Sequence, residues 1–172
     1  SRKIFFAGKN HITFKRSTEI AETTISSLVD RNSTEIKITL KGGPNAGFYN
    51  GSSIEPTCSM GLTGPKSFGN QYAVSGKEDN EFSRLQLLVD DYEEAKSGTD
   101  KFYIKVGFGK RVVGIAYEIN GSENTMSGKK QGCGKLNIIE YDNNKIVHIE
   151  GITDAGVILE AEITCRGIVR NK

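Results

Sequence analysis

Apolar and polar residues alternate with period two over much of the second half of the chain. In KFYIKVGF (101–108), Phe102, Ile104, Val106 and Phe108 recur at every second position, the mark of a strand with one buried face. RVVGIAYEI (111–119) keeps the same alternation through Val113, Ile115, Tyr117 and Ile119. Gly109-Lys110 between the two runs predicts a two-residue type II′ turn, because glycine at its first position accepts positive φ and the turn matches strand twist. KLNIIEY (135–141) and KIVHIEGI (145–152) flank Asp142-Asn143-Asn144, residue types that tolerate left-handed backbone, and predict a second hairpin. Asp154-Ala155-Gly156 then turns the chain into VILEAEITCRGIV (157–169). There Val157, Leu159, Ala161, Ile163 and Cys165 share one face, with Glu160, Glu162 and Thr164 on the other. In outline this is a five-strand antiparallel meander.

Upstream, EIKITLK (35–41) alternates Ile36, Ile38 and Leu40 with polar residues, RLQLLVD (84–90) is a more continuously apolar strand, and QYAVS (71–75) a short one. IFFAG (4–8) and HITFK (11–15) read as an N-terminal hairpin or an extended arm. STEIAETTISSLVDR (17–31) instead keeps helical time, with Ile20, Ala21, Thr24, Ile25, Leu28 and Val29 on one stripe, Ser17 as cap and Glu19 and Glu22 near the positive end. Its Thr, Ser and Ile content leaves a strand as the alternative. Short strands, glycine turns and one wet face per strand predict a mainly β fold with antiparallel sheets: a β-sandwich of Ig-like or jelly-roll type with one short N-terminal helix, a β-barrel being the alternative. The length suits a single domain over 1–172, with residues 1–16 as an N-terminal arm and 42–71 as a long loop excursion.

Lys plus Arg number 23 and Asp plus Glu 21, a formal charge of +2, which argues against a nucleic-acid binder. No apolar run approaches the roughly 20 residues of a membrane-spanning helix. Ser1 in place of a methionine reads as a processed or trimmed terminus. Asn32, Asn50 and Asn120 head N-x-S/T triplets, which matter only in a eukaryotic secretory setting.

GGPNAGFYNGSS (42–53) follows a strand-like run and so invites comparison with phosphate-binding loops. It lacks the G-x-x-x-x-G-K-[ST] spacing, and no helix follows to supply aligned backbone donors. The chain runs on through Pro44, Pro56 and Pro65, all the prolines it has, so this stretch reads as a surface excursion holding one short strand near 46–53. Phe48 and Tyr49, with Tyr72, are the candidate stacking residues for a glycan or small ligand, although the chain has no tryptophan.

The chain has three cysteines, Cys58, Cys133 and Cys165, none in C-x-x-C spacing, and two histidines, which excludes zinc-ribbon and thioredoxin-like motifs. Cys165 falls on the predicted core face and Cys58 in the excursion, where a tether would help; a bridge between them would leave Cys133 as an exposed thiol, free or intermolecular. Three reduced cysteines in a cytoplasmic protein are the alternative. A nucleophilic Cys133 would need a histidine base, but His148 lies on the solvent parity of its strand and His11 in the arm, so no catalytic residue is assigned. Asp90, Asp91 and Glu93, within the acidic stretch 78–94, are the candidate calcium ligands, though without EF-hand spacing; a solvated acidic patch is the default and no cofactor is assigned. Arg2, Lys3, Lys9, Lys15 and Arg16 make the N-terminus basic, and Ile4, Phe5 and Phe6 would let it add to the sheet edge of a neighbouring copy; the alternative is that IFFAG is the first strand of its own sandwich.

GGPNAGFY (42–49), PTCS (56–59), LQLLV (85–89) and GITDAGVILEAEITC (151–165) together resemble small bacterial secreted or lipoprotein β-sandwich domains of unassigned function, over residues 35 to 169. The resemblance implies an extracytoplasmic sandwich and supports pairing Cys58 with Cys165; it carries over no catalytic residues and leaves out 17–31. The expectation is a non-enzymatic extracytoplasmic binding or structural module. It would recognise copies of itself or another surface protein through its arm, or a glycan or small ligand through its loops, an enzyme of unassigned chemistry being a further alternative.

Overall fold

In the computed structural model the inward residues predicted from alternation lie in the core, except Val113 and Ile115, which are exposed. The structure describes residues 32–122 and 128–171; the arm residues Ile4, Phe5 and Phe6, His11 and the helical run 17–31 lie outside them. The first sheet contains β1 (Thr34–Lys41), β2 (Gly47–Ser53), β8 (Cys133–Tyr141), β9 (Asn144–Ile152) and β10 (Ile158–Cys165), in the order β2-β1-β10-β9-β8. The second contains β3 (Cys58–Met60), β4 (Phe68–Ala73), β5 (Phe82–Val89), β6 (Phe102–Phe108), β7 (Ala116–Asn120) and β11 (Ile168–Arg170), in the order β11-β3-β4-β5-β6-β7. A four-residue helix, α1 (Tyr92–Ala95), lies between β5 and β6. The two sheets pack face to face as a β-sandwich and do not close into a barrel.

Their inner faces share one apolar cluster. Ile36, Ile38, Leu40, Leu136, Ile138, Val147, Ile149, Leu159 and Ile163 come from the first sheet, and Phe68, Leu85, Leu87, Phe102, Ile104, Val106, Phe108 and Ile119 from the second. Phe108 sits at its aromatic end, edge-on to Tyr49 (centroids 4.8 Å) and Tyr117 (5.9 Å) and near Phe82 (6.3 Å). Such edge-to-face pairs set the partial positive ring edge against the negative face. Cys58 on β3 and Cys165 on β10 form a disulfide, Cα to Cα 6.0 Å, that joins the two sheets through the buried interior.

Several sequence expectations are corrected. The hairpin after Phe108 is not a two-residue turn: Gly107 pairs with Ala116 and Val106 with Tyr117, so residues 109–115 form a loop. The register has moved four residues from the expected one, which leaves parity unchanged and so keeps Tyr117 and Ile119 inside. Val113 and Ile115 drop out of the strand. The five-strand meander is also divided, because β6 and β7 belong to one sheet and β8, β9 and β10 to the other, while β10 finds its second partner in β1. One pair, β11 with β3, is parallel in an otherwise antiparallel pairing. The excursion 42–71 holds β2 and β3 and enters β4, which begins at Phe68, ahead of the predicted run. The turn expected at Asp142-Asn143-Asn144 is one residue shorter: Asp142 and Asn143 have positive φ (48° and 65°), and Asn144 already pairs with Tyr141 as the first residue of β9.

Candidate functional site

The loop that follows β1 is fastened from both sides. Asn45 is buried; its carbonyl accepts from the Tyr49 hydroxyl (2.8 Å) and its side-chain Oδ1 from that of Tyr117 (2.9 Å). Tyr49 therefore points inward, and Tyr72, also buried, stacks on Phe82 with centroids 5.5 Å apart. Phe48, next to Tyr49 on a strand, points to the opposite face and is exposed. The structure does not bring the three aromatics together, and the stacking platform expected from sequence is replaced by core packing.

The acidic stretch likewise has other employment. Asp91 caps α1, its carboxylate accepting from the backbone N–H of Glu93 (3.0 Å) and Glu94 (3.1 Å) and pairing with Lys66. The Glu94 N–H, with Lys66 and the Glu93 N–H, holds the Asp91 carboxyl below its usual range. Glu93 pairs with Lys96. No group of three carboxylate, cysteine or histidine ligands that could hold a metal occurs among the described residues, so the candidate calcium ligands Asp90, Asp91 and Glu93 are not brought together as one site. Cys133 is a free, exposed thiol. The β8–β9 ladder places it opposite Ile152 and His148 opposite Asn137, four positions away and about 13 Å along the strand. His148 faces Glu162 on the outer surface instead.

A different constellation emerges at the end of the sandwich that carries the 42–46 and 109–115 loops. Between Phe82 and Arg84 the β5–β6 register shifts: Phe82 pairs with Phe108 and Arg84 with Gly107, leaving Ser83 as the extra residue of a β-bulge. A bulge bends its strand and redirects the side chains beside it. Here the Ser83 hydroxyl donates to the Gly109 carbonyl (2.8 Å), and Arg84 Nη1 donates to that carbonyl and to Ser83 Oγ (3.2 Å each). Gly109 has φ of +61° and lies against the backbone of Asp79, where a Cβ would come within 2.7 Å of Asp79 Cα. Its amide donates to the Glu81 carbonyl.

These contacts open a cleft of about 690 Å³ lined by residues 73–79, Ser83, Arg84 and 109–111. Lys77, Arg84, Lys110 and Arg111 line it, with Glu78 and Asp79 on the wall formed by the β4–β5 turn. Lys77 is paired with Glu81, whose carboxylate also accepts from the Glu78 N–H. That backbone donor, with Lys77, holds the Glu81 carboxyl below its usual range. Arg84, Lys110 and Arg111 have no carboxylate within ion-pair distance among the described residues. A smaller groove of about 490 Å³ continues over the outer face of the same sheet past Gln71, Gln86 and Lys105, the last paired with Glu118 at 2.9 Å. The cleft thus offers fixed hydrogen-bond donors and more cations than carboxylates, a combination suited to an anionic group.

Nothing in the local sequence singles out Arg84, since a lone arginine in an apolar strand is an ordinary solvent-side residue. The pair of small residues in KVGFGKR was the available signal, because glycine at 107 and 109 makes the room that the arginine and the turn use. Comparison with protein-family models, with curated proteins and with solved structures finds no match, and the functional reading rests on the residues themselves.

Proposed function

We propose that the chain is a non-enzymatic binding module that works outside the cytoplasm and takes an anionic group in the Arg84–Arg111 cleft. The observation that carries this reading is the pre-set Arg84 guanidinium, held by two acceptors beside Lys110 and Arg111, with no carboxylate paired to any of the three among the described residues. A phosphate, sulfate or carboxylate arriving there would meet planar donors already in position, which lowers the ordering cost of binding. The extracytoplasmic part draws support from the Cys58–Cys165 disulfide, because such bonds persist in oxidising compartments. Titration calorimetry with inositol hexakisphosphate and with a sulfated heparin oligosaccharide tests it. Binding that weakens with salt and falls about tenfold or more in Arg84→Gln and Arg111→Gln is expected. Binding of neither probe, or binding indifferent to both substitutions, would overturn it.

Self-assembly is a second reading, favoured by β2 and β8, the outer strands of the first sheet among the described residues, β8 being bridged only at Thr99. Phe48 on the first and Ile139 and Tyr141 on the second are exposed. Open edges invite an added strand. Sedimentation of the full chain beside one lacking residues 1–8 tests it: concentration-dependent oligomers that need those residues support assembly, and a monomer at high concentration ends it.

A further inference from the structure

The loop between β6 and β7 has an apolar crest standing in water. Val112 is 93% exposed, Val113 75% and Ile115 45%. The loop is nevertheless closed: the Phe108 amide donates to the Ile115 carbonyl (2.8 Å) and the Gly114 amide to the Lys110 carbonyl (2.7 Å). Gly114 is needed for that closure, since a Cβ there would lie 1.8 Å from the Phe108 carbonyl oxygen. The two valines are held outward by backbone geometry, and Lys110 and Arg111 beside them are exposed as well.

Aliphatic side chains held in water gain by leaving it, and the neighbouring charges select where they go. A groove on a protein partner calls for a broader patch with an aromatic or arginine anchor fully buried at its centre. This crest has no aromatic residue, is narrow, and carries its cations at the side rather than at the centre. The headgroup region of a bilayer answers both features, offering phosphates to the cations and an acyl boundary just beneath them to the valines. We infer that the 109–115 loop docks the domain onto a membrane surface rich in anionic phospholipid headgroups. Val112 and Val113 enter the headgroup–acyl boundary while Lys110, Arg111 and Arg84 hold lipid phosphates. Glu78 and Asp79 line the same cleft, Asp79 through backbone packed against Gly109, and Glu81 is paired with Lys77, so the crest at Val112 and Val113 with Lys110 and Arg111 is the part of the loop that meets the lipid. The inference rests on the cleft being an anion site and names the source of the anion.

The test is co-sedimentation of the full chain with phosphatidylcholine vesicles and with vesicles of phosphatidylcholine mixed with phosphatidylglycerol. Inositol hexakisphosphate titrations are run on the same samples. The wild-type chain should bind the mixed vesicles and not the neutral ones. The double variant Val112→Ser/Val113→Ser should lose about tenfold in vesicle affinity while binding inositol hexakisphosphate as before. Both substitutions are at exposed positions, and an unchanged melting temperature confirms the fold. Failure to bind mixed vesicles, or equal vesicle binding by the double variant, with hexakisphosphate binding intact, would overturn membrane docking and leave the anion site standing. Loss of both kinds of binding in the wild-type chain would remove both readings.

Discussion

Arg84 and Gly107 face each other across the β5–β6 ladder, and the arginine occupies the space that a Cβ on the glycine would need. A Cβ built at Gly107 would lie 2.4 Å from Arg84 Nε and 2.6 Å from its Cγ and Cζ. The glycine is what lets the guanidinium lie flat across the strand and reach the Gly109 carbonyl.

Gly107→Val should therefore push Arg84 off its two acceptors. We expect a loss of stability of about 1–3 kcal/mol, the usual cost of an inserted side chain at a tight contact, together with weaker anion binding. Urea unfolding and hexakisphosphate titration on one preparation measure both. A variant that binds as the wild type does would show that the placement of Arg84 is irrelevant to the cleft.

The disulfide closes a sequence separation of 107 residues and ties the short strand β3, by way of β10, to the opposite sheet. Reduction should cost about 2–4 kcal/mol, chiefly by returning freedom to the unfolded chain. The comparison is best made in Cys133→Ser, where thiol exchange through the exposed cysteine cannot occur. That background substitution alone should leave the unfolding midpoint unchanged, and a midpoint that does not respond to reduction would count against the bridge.

Glu140 accepts from the Tyr92 hydroxyl and pairs with Lys145 (2.8 Å) and Lys96 (3.4 Å). Lys145 first, then Tyr92 and Lys96, hold its carboxyl down to about 2. Because the folded value is depressed, the stabilisation is complete above the ordinary carboxylate range, near 4.5, and is lost as pH falls toward 2. Melting temperature should drop more steeply between those values in the wild type than in Glu140→Gln. Burial and the same carboxylate raise the Tyr92 hydroxyl well above its normal value, so its own contribution is lost only in strong alkali. Parallel melting curves for the two proteins across the acid range would refute the assignment.

Asn120 is buried, with its side-chain amide donating to the Lys129 carbonyl (2.9 Å), whereas Asn50 and Asn32 are exposed. Expressed through a glycosylating secretory pathway, folded molecules should carry glycan at Asn50 or Asn32 and none at Asn120. Glycopeptide mass spectrometry reads this directly, and glycan on Asn120 in folded material would contradict the burial.

Strand faces were legible in the chain because a half-buried strand writes its own pattern: Ile36, Ile38 and Leu40, or Leu159, Ala161 and Ile163, are inward wherever the strand is placed. Turns with a local steric demand were legible too, as at Asp142-Asn143. Cys165 was legible as a core cysteine from the parity of its strand, and the bond to Cys58 became definite only in the fold. The basic cleft could not be read, since Arg84, Lys110 and Arg111 meet only through a bulge and a loop whose register no residue announces.

Alternation by itself determined which side of each strand is wet, and hence antiparallel sheets, with the choice of sandwich over barrel left to the way the two sheets pack. Only the tertiary structure decided which strands are neighbours: β10 beside β1, the split between β7 and β8, the strands within 42–71 and the seven-residue loop at 109–115. The physical reason is that period two fixes a face but not a partner. A register shift of four residues keeps the parity of the residues that stay in the strand, as at Tyr117 and Ile119, and backbone hydrogen bonds between distant strands are chosen by how the two apolar faces close on each other. The aromatics Tyr49 and Tyr72 went to that closure, and Arg84, Lys110 and Arg111 remained to line the surface cleft.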